Sequence, residues 1–283
     1  MHRFIITLIA AVALAPAAAS AQTGQQIPEP GPILTKLGHT PMVELWDGGG
    51  GLPYLGVKES YNAGNWEEAL REYHESGVYD KQIAKVDAVA AKWLTRAGHR
   101  RGFGKFKLQR RGGHQRGVKV VKMSRRGRHG HGQSKRKPAI VFDVDETALS
   151  NYSAIDADNF EYGPNSMAEA TNEIGVAIKP SLALYKLAQQ KGIATFFVTG
   201  RREKDRAHTA HNLEREGFTG YTELMLKPDA FTDTTVTYKS GARAAIEAKG
   251  YRIVASVGDQ YSDLAGGHED VAFKLPNPFY FLP

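Results

Sequence analysis

Val141-Phe142-Asp143-Val144-Asp145-Glu146-Thr147 closes a short apolar run that begins at Ala139. Ala139 to Phe142 is apolar without alternation, which is typical of a strand buried on both faces. A parallel strand that ends in Asp-x-Asp carries both carboxylates to the carboxyl edge of a sheet, where α/β proteins bind their ligands. Carboxylates this close together need a cation or a shared proton to offset their repulsion. For this stretch alone, the alternative interpretation is a solvated acidic turn.

After Pro138 the chain alternates between patterns typical of strands and patterns typical of helices. The further predicted strands are the apolar runs Ile193–Val198, Thr222–Leu226, Ile253–Val257 and Val271–Phe273. The predicted helices start at Pro180, Arg202 and Ser240, and the glycines that follow their ends are Gly192, Gly217 and Gly250. This alternation predicts an α/β fold with a Rossmann-like parallel sheet flanked by helices. Residues 57–97 predict an N-terminal helical extension packed on that core.

Polar residues occur where the later strands of the predicted sheet end. Thr199-Gly200-Arg201 follows the second strand, and Gly258-Asp259 follows the fourth, with Asp263 four residues further on. Lys239 opens the helix predicted after the third strand. Taken singly, these residues are typical of a turn, a helix cap and a solvated lysine. Because parallel strands end at one edge of a sheet, together they predict an active site around the first Asp pair.

The first residues have the pattern of a cleavable export signal. His2 and Arg3 form a weakly basic start, and the apolar stretch Phe4–Ala15 and the small residues Ala19-Ser20-Ala21 follow. We therefore expect residues 1–21 to be a signal peptide and the protein to be periplasmic or secreted. No later segment approaches the roughly 18 apolar residues of a membrane span. Without cysteine, the chain has no disulfide, no thiol nucleophile and no lipid-modified N-terminal cysteine.

Two segments before the predicted core are expected to lack a packed fold. Residues 22–56 are rich in Gly and Pro and predict a flexible leader. Residues 98–136 are rich in Gly, Arg and Lys and predict a disordered insert. From Arg96 to Lys137 the chain has sixteen of its 37 Lys and Arg and none of its 30 Asp and Glu. Such a segment would attract polyanions such as nucleic acid, lipopolysaccharide or polyphosphate. The alternative is a solvated loop without a partner.

The ordered set of polar residues resembles the four motifs of the haloacid dehalogenase (HAD)-like hydrolases. The matching positions are Asp143-x-Asp145-x-Thr147, Thr199, Lys239 and Gly258-Asp259-x-x-x-Asp263. Longer stretches resemble the secreted acid phosphatases of that superfamily, which include bacterial class B and C enzymes and plant vegetative storage proteins. These stretches are PAIVFDVDETALSNY (138–152), Tyr238-Lys239-Ser240 and Lys274-Leu275-Pro276-Asn277-Pro278. The resemblance covers residues 55–95 and 137–283, with 137–283 as the phosphatase core, and the segment 98–136 departs from it.

The resemblance implies catalytic roles that elementary chemistry supports. Asp143 would attack phosphorus and form an aspartyl-phosphate. Asp145 would protonate the leaving alcohol and then activate the water that hydrolyses the intermediate. Thr199 would hydrogen-bond the transferring group, and Lys239 would neutralise charge on it and on Asp143. For Arg201 two roles are open: it would steady the substrate or pair with a helix carboxylate.

The same resemblance implies Mg²⁺ as the cofactor. Asp143, the backbone carbonyl of Asp145 and Asp259 would hold the ion, with Asp263 behind them or bound through water. Oxygen-only ligands suit Mg²⁺, and its charge would offset the crowding of the carboxylates.

Residues 151–179 are where this superfamily inserts a small cap. Aromatic residues there, Tyr152, Phe160 and Tyr162, would either stack on a substrate ring such as a nucleobase or pack the cap itself. The predicted function is that of a secreted Mg²⁺-dependent acid phosphatase acting on small phosphomonoesters, with nucleotides among the candidate substrates. The alternative is a non-catalytic storage or polyanion-binding protein on the same scaffold.

Overall fold

A computed structural model gives the structure of the protein over residues 32–45, 63–97, 104–111, 115–122 and 136–281. The expected signal peptide lies outside these described residues. The strands are β1 (Pro32–Leu37), β2 (Thr40–Leu45), β3 (Gly104–Arg111), β4 (Gln115–Lys122), β5 (Lys137–Phe142), β6 (Leu149–Ser150), β7 (Val176–Ala177), β8 (Ala194–Arg202), β9 (Glu223–Lys227), β10 (Tyr251–Gly258) and β11 (Ala272–Lys274). The helices are α1 (Ala63–Glu75), α2 (Val78–Ala97), α3 (Tyr152–Ala157), α4 (Pro164–Asn172), α5 (Lys179–Gln190), α6 (Arg206–Arg215), α7 (Thr235–Ala248) and α8 (Tyr261–Leu264).

Seven of these strands form one sheet in the order β1-β2-β11-β10-β5-β8-β9. Neighbouring strands are parallel throughout, except that β1 and β2 form an antiparallel hairpin. The register sets Phe142 of β5 opposite Val257 of β10 and Phe197 of β8. The carboxyl ends of β5, β8 and β10 therefore meet at one edge of the sheet. The predicted parallel sheet flanked by helices is confirmed.

Helices cover both faces of this sheet. Within β5, Ile140 and Phe142 belong to the larger apolar cluster, which includes residues of α2 and α5. Ala139 and Val141 belong to a second cluster with residues of α7. This is why the run from Ala139 to Phe142 is apolar without alternation. In α2, Trp93 also donates its Nε1–H to the carbonyl of Val254 at 2.7 Å. Within the described ranges, no helix is long and apolar enough to cross a membrane.

The leader prediction is wrong where β1 and β2 lie. Their hairpin has the two-residue loop Gly38-His39, and Gly38 has φ +59°, a conformation that glycine adopts without strain. Met42 and Val43 of β2 pair with β11 and are buried. The Gly- and Pro-rich composition of residues 22–56 did not indicate this strand pair. Its apolar residues are buried by partners far away in the chain, which composition does not show.

The prediction of a disordered insert is likewise wrong for residues 104–111 and 115–122, which form strands. β3 and β4 form an antiparallel pair in which Phe106 is opposite Val120 and Leu108 is opposite Val118. In this stretch apolar residues alternate with basic ones, which is the period of a strand. The other residues of 98–135 lie outside the described part of the chain.

One helix begins earlier than its pattern predicts. α7 starts at Thr235 rather than at Ser240, because the Thr234 side chain accepts a hydrogen bond from the N–H of Thr237 at 3.1 Å and caps the helix. Lys239 therefore lies in the second turn of α7 rather than at its start. This places its side chain one turn deeper along the helix than the sequence suggested.

Candidate active site

Four acidic side chains lie near the carboxyl edge of the sheet, and together with their polar partners they form two groups. Asp143 follows β5 directly, and its N–H donates to the carbonyl of Val257 at 3.0 Å. The first group, called the carboxylate cluster, consists of Asp143, Asp259, Asp263 and Lys239. The second group, called the arginine cluster, consists of Asp145, Asn151 and Arg201.

The carboxylate cluster is short of positive charge. Its three carboxylates are buried, and one oxygen from each lies within 4.8 Å of the others. Lys239 Nζ donates to Asp143 Oδ1 and to Asp263 Oδ1, each at 2.5 Å. Burial raises the pKa of Asp143 well above its ordinary value; Lys239 opposes this rise, and the charges of Asp263 and Asp259 add to it. Three carboxylates face Lys239 and the nearby charge of Lys274, so negative charge still exceeds positive charge and the cluster fits a further cation.

Asp259 is held in place from three sides. Thr147 Oγ1 donates to its Oδ1 at 3.0 Å, and Gln260 Nε2 and Asn277 Nδ2 donate to its Oδ2 at 2.8 and 2.7 Å. Burial and the nearby charge of Asp263 nevertheless raise the pKa of Asp259 to about 6. Its orientation is thus set by the protein, while its charge favours a cation nearby.

The arginine cluster is balanced. Arg201 donates to Asp145 Oδ1 from Nη2 at 2.6 Å and from Nε at 2.9 Å, and Asn151 Nδ2 donates to the same oxygen at 2.8 Å. Burial alone would raise the pKa of Asp145, but the charge and hydrogen bonds of Arg201 outweigh it and lower that pKa. The direct partner of Arg201 is the second carboxylate of the Asp-x-Asp stretch. The charge of Glu169, a carboxylate of α4, also acts on Arg201, and the role of Arg201 toward substrate stays a prediction.

Thr199 joins the arginine cluster through the backbone. It is fully buried in β8, and its Oγ1 accepts a hydrogen bond from the N–H of Arg201 at 3.1 Å. The structure thus brings all seven predicted site residues to the two clusters. The contact of Thr199 with a phosphoryl group stays a prediction.

Several residues that hold the predicted ones were given no role from the sequence. They are Glu146, Gln260 and Tyr280, together with Thr147 and Asn277, which lie in the motifs quoted above. Glu146 is buried, has φ +49°, and accepts hydrogen bonds from the N–H of Asn151 at 2.6 Å and from Tyr280 Oη at 2.9 Å. Glu146 and Thr147 could have been suspected, because polar residues inside a buried turn need partners. No pattern pointed to Tyr280, which lies 134 residues further along the chain from Glu146.

The predicted cap region contains α3, α4 and β7, and β7 pairs with β6 just before the region. Tyr152 stacks on His74 of α1, with ring centroids 3.4 Å apart, and Phe160 stacks on Phe279 at 6.1 Å. These two rings therefore pack the cap against its neighbours, which favours the packing alternative for them. Tyr162 is 82% exposed and presents a free ring face to solvent.

Comparison with known proteins agrees with this geometry. A family model described as HAD superfamily, subfamily IIIB (Acid phosphatase), matches residues 67–283. Acid phosphatase 1 of Solanum lycopersicum is 39% identical over 150 residues, which cover 50% of this chain and 58% of that protein. Vegetative storage protein 1 of Arabidopsis thaliana is 34% identical over 152 residues, which cover 50% of this chain and 55% of that protein. The chain thus spans little more than half the length of these curated relatives.

Among solved structures, the class C acid phosphatase from Bacillus anthracis with tungstate bound is similar, with a TM-score of 0.54. The match covers 78% of this chain and 86% of that chain at 17% sequence identity, so it shows the fold alone. The family model, by contrast, matches most of the chain, including both clusters. The chain therefore belongs to the HAD superfamily, subfamily IIIB, the acid phosphatases.

Proposed function

We propose that the chain is a Mg²⁺-dependent phosphomonoesterase that works through an aspartyl-phosphate on Asp143. The observation that carries this proposal is the different partner of each carboxylate in the Asp-x-Asp stretch. Asp143 is paired with Lys239 among other carboxylates, whereas Asp145 is paired with Arg201. Two carboxylates with separate environments at one sheet edge support a division of labour between nucleophile and acid.

The residues of the carboxylate cluster fit Mg²⁺. Buried carboxylate oxygens of Asp143, Asp259 and Asp263 would hold it, together with the backbone carbonyl of Asp145. When bound, the ion would favour the ionised form of Asp143 and neutralise charge on phosphoryl oxygens. Because a carboxylate must be ionised to bind a cation and the pKa of Asp259 is raised to about 6, affinity for Mg²⁺ should fall as the pH drops below that value.

Asp143 carries out the displacement. One of its carboxylate oxygens forms a bond to phosphorus while the bond from phosphorus to the leaving oxygen breaks. Lys239 Nζ, 2.5 Å from Asp143 Oδ1, holds that carboxylate and balances its charge. The hydroxyl of Thr199 would bind a phosphoryl oxygen at the same edge.

Asp145 moves the protons. In its protonated form it gives a proton to the leaving oxygen, and as a carboxylate it then accepts a proton from the water that attacks the aspartyl-phosphate. Inorganic phosphate leaves and Asp143 is restored. Arg201 lowers the pKa of Asp145, which favours the carboxylate form that accepts the proton from water; the protonated form needs acidic solution and is lost as the pH rises.

Hydrolysis of p-nitrophenyl phosphate tests the proposal. We expect wild-type turnover that EDTA abolishes and Mg²⁺ restores, and a loss of at least about 10⁴-fold in Asp143→Asn. Thermal unfolding of the variant checks that it is folded, since Asn has nearly the same shape as Asp. An inactive wild type, or an Asp143→Asn protein with normal activity, would contradict the proposal.

A storage role on the same scaffold is the second candidate. The name of vegetative storage protein 1 among the relatives supports it. Every residue proposed for catalysis is present here, which favours the enzyme. A wild type that binds Mg²⁺ normally yet hydrolyses no phosphomonoester would favour storage.

We also propose that residues 98–136 bind polyanions. The charge of this segment supports the proposal, as does the strand pair β3–β4, which lies beside β1 and α2. Binding to polyphosphate should fall steeply with salt concentration, because Lys and Arg release counterions on contact. Deleting 98–136 should abolish that binding and leave hydrolysis largely intact. A deletion that also destroys hydrolysis would place the segment in the site.

Export and substrate class complete the proposal. The pattern of residues 1–21 supports a periplasmic or secreted protein, and residues 151–179 would form a small cap over the active site. Small phosphomonoesters are the proposed substrates. Nucleotides stay among the candidates because Tyr162 has an exposed ring in the cap region.

A further inference from the structure

The C-terminal tail, residues 275–281, follows β11 and begins at the carboxylate cluster. The N–H of Leu275 donates to the carbonyl of Gly258 at 2.8 Å, which holds the start of the tail against the end of β10. Asn277 Nδ2 then donates to Asp259 Oδ2 at 2.7 Å. Asn277 therefore touches a carboxylate proposed to bind Mg²⁺.

Tyr280, near the far end of the same tail, is joined to Asp145 through two residues. Its Oη donates to Glu146 Oε2 at 2.9 Å. The N–H of Asn151 donates to the other oxygen of Glu146 at 2.6 Å, and Asn151 Nδ2 donates to Asp145 Oδ1 at 2.8 Å. This series of hydrogen bonds links the position of Asp145 to the tail.

Glu146 has two features that need support from its surroundings. Its backbone has φ +49°, in the left-handed region that strains a residue with a side chain, and it is only 1% exposed. A buried carboxylate without hydrogen-bond donors would also be unfavourable. The N–H of Asn151 and the hydroxyl of Tyr280 are those donors. Losing the hydroxyl would therefore loosen the turn that carries Asp145.

The tail has a separate anchor between its two contacts. The ring of Phe279 is 3% exposed and packs against Tyr79 and Tyr152, with ring centroids 5.1 and 5.4 Å away. The N–H of Phe279 also donates to Asn277 Oδ1 at 2.9 Å. Because this packing attaches the tail, removing only the Tyr280 hydroxyl tests its hydrogen bond rather than the attachment.

We propose that the tail positions the two clusters through two separate contacts. Asn277 orients Asp259 for cation binding, and Tyr280, through Glu146, orients Asp145 for proton transfer. The second part rests on the proposed role of Asp145 as the acid. A misplaced acid slows only those leaving groups that need a proton, so alkoxides depend on it far more than nitrophenolate does. Asn277 and Tyr280 are positioning residues, since each acts through another side chain.

The test compares two substrates in the full chain with saturating Mg²⁺. Tyr280→Phe should lower kcat/KM about tenfold for propyl phosphate and by less than about twofold for p-nitrophenyl phosphate. The loss with propyl phosphate is smaller than the full contribution of a general acid, because the variant displaces Asp145 and does not remove it. Asn277→Ala is the matched variant in the same tail. It should leave the ratio of the two substrates unchanged and weaken Mg²⁺ binding about tenfold, measured by calorimetry without substrate.

Asp145→Asn separates a failure of this inference from a failure of the proposed function. It should lower kcat/KM for propyl phosphate at least about 100-fold more than kcat/KM for p-nitrophenyl phosphate, because kcat/KM does not include hydrolysis of the aspartyl-phosphate that both substrates form. Equal losses would show that Asp145 is not the acid, which rejects the proposed proton transfer itself. If Asp145→Asn behaves as expected but Tyr280→Phe changes both substrates equally, or neither, the tail does not position Asp145.

Glu146→Gln tests the same series of hydrogen bonds with a substitution outside the tail. The amide still accepts from the N–H of Asn151 and can donate to Tyr280 Oη, so the ratio of the two substrates should stay within about twofold of the wild type. If the ratio of the two substrates shifts in Glu146→Gln as far as it does in Asp145→Asn, the charge of Glu146 matters rather than its hydrogen bonds to Tyr280 and Asn151. That result would overturn the inference. Thermal unfolding of each variant accompanies the kinetics.

Discussion

The carboxylate cluster and the arginine cluster lie at one sheet edge and accommodate buried negative charge in different ways. In the first, Lys239 is shared by Asp143 and Asp263, with Asp259 beside them. In the second, Arg201 is paired with Asp145. The difference teaches that unbalanced charge marks a place for a cation, whereas a balanced pair fixes one carboxylate in one position. Each variant below changes one side of this comparison.

Replacing the shared lysine should have the largest effect. Lys239→Met removes the ammonium that Asp143 and Asp263 share, and removing one partner of a buried pair costs about 3–5 kcal/mol in the free energy of unfolding. Saturating Mg²⁺ should recover part of this loss, because it binds the native state only. Denaturation with EDTA and with Mg²⁺ measures both values.

Lys249→Met is the control for that experiment. Its pair with Glu223 is exposed, so the loss should be under about 1 kcal/mol and the same with or without Mg²⁺. If Lys239→Met were also insensitive to Mg²⁺, the carboxylate cluster would not be a cation site.

Replacing the arginine should destabilise the fold less, and Mg²⁺ should not recover the loss. Arg201→Met removes charged hydrogen bonds from Asp145, worth about 2–3 kcal/mol. Because the folded pKa of Asp145 is lowered, the stabilisation from this pair is present above the unfolded pKa of Asp and is lost as the pH falls through the folded value.

The same variant should change the pH profile of kcat. Without Arg201 the pKa of Asp145 rises, so the protonated acid persists to higher pH and the alkaline limb of kcat moves upward. The profile is measured with propyl phosphate, which needs the acid. A limb that stays in place or moves downward would show that Asp145 does not supply the proton.

Two glycines sharpen the comparison by steric contact alone. A Cβ on Gly258 would lie 2.5 Å from Asp263 Cβ, so Gly258→Ala should cost about 1–3 kcal/mol and weaken Mg²⁺ binding. A Cβ on Gly200, next to Arg201, would meet nothing within 4 Å, so Gly200→Ala should change stability by under about 0.5 kcal/mol. Similar losses in both proteins would contradict the tight packing of Asp263 on Gly258.

The smallest effect is expected from a single hydroxyl. Thr147→Val removes the donor to Asp259 Oδ1, which should cost about 1 kcal/mol, raise the pKa of Asp259 and move the onset of Mg²⁺ binding to higher pH. Thr209→Val is its counterpart beside the arginine cluster, because Thr209 Oγ1 accepts a hydrogen bond from Arg201 Nη1 at 3.4 Å. That variant should leave Mg²⁺ binding unchanged, as calorimetry over a range of pH would show.

The sheet and its edge were predictable because they follow local signals. Apolar runs give the strands, and a polar residue directly after a strand, such as Asp143 or Asp259, must lie at the carboxyl edge. The pairing of Arg201 with Asp145 was not predictable in this way, since it depends on how a side chain of β8 reaches the turn after β5. The hydrogen bonds of Asn277 were equally hidden, because they join segments far apart in sequence.

The hairpin of β1 and β2 was missed for a physical reason of the same kind. Met42 and Val43 are apolar residues in a Gly- and Pro-rich leader, and their burial comes from β11 rather than from neighbours in sequence. Composition averages over such a segment and does not show which of its residues pair with distant strands. The strand pair β3–β4 in the basic insert was missed because many basic residues are typical of a disordered segment, although apolar residues alternate with them here.

The place of β2 in the sheet also sets an order of assembly. Residues 42–43 pair with residues 272–273, so the earliest described strands of the chain are joined to the sheet only through its last described strand. Contacts between such distant segments form slowly, because a long loop must close first. Until β11 arrives, β2 has an open edge that other chains could join. During synthesis, the edge of β2 should therefore stay open to pairing with other chains until β11 is available.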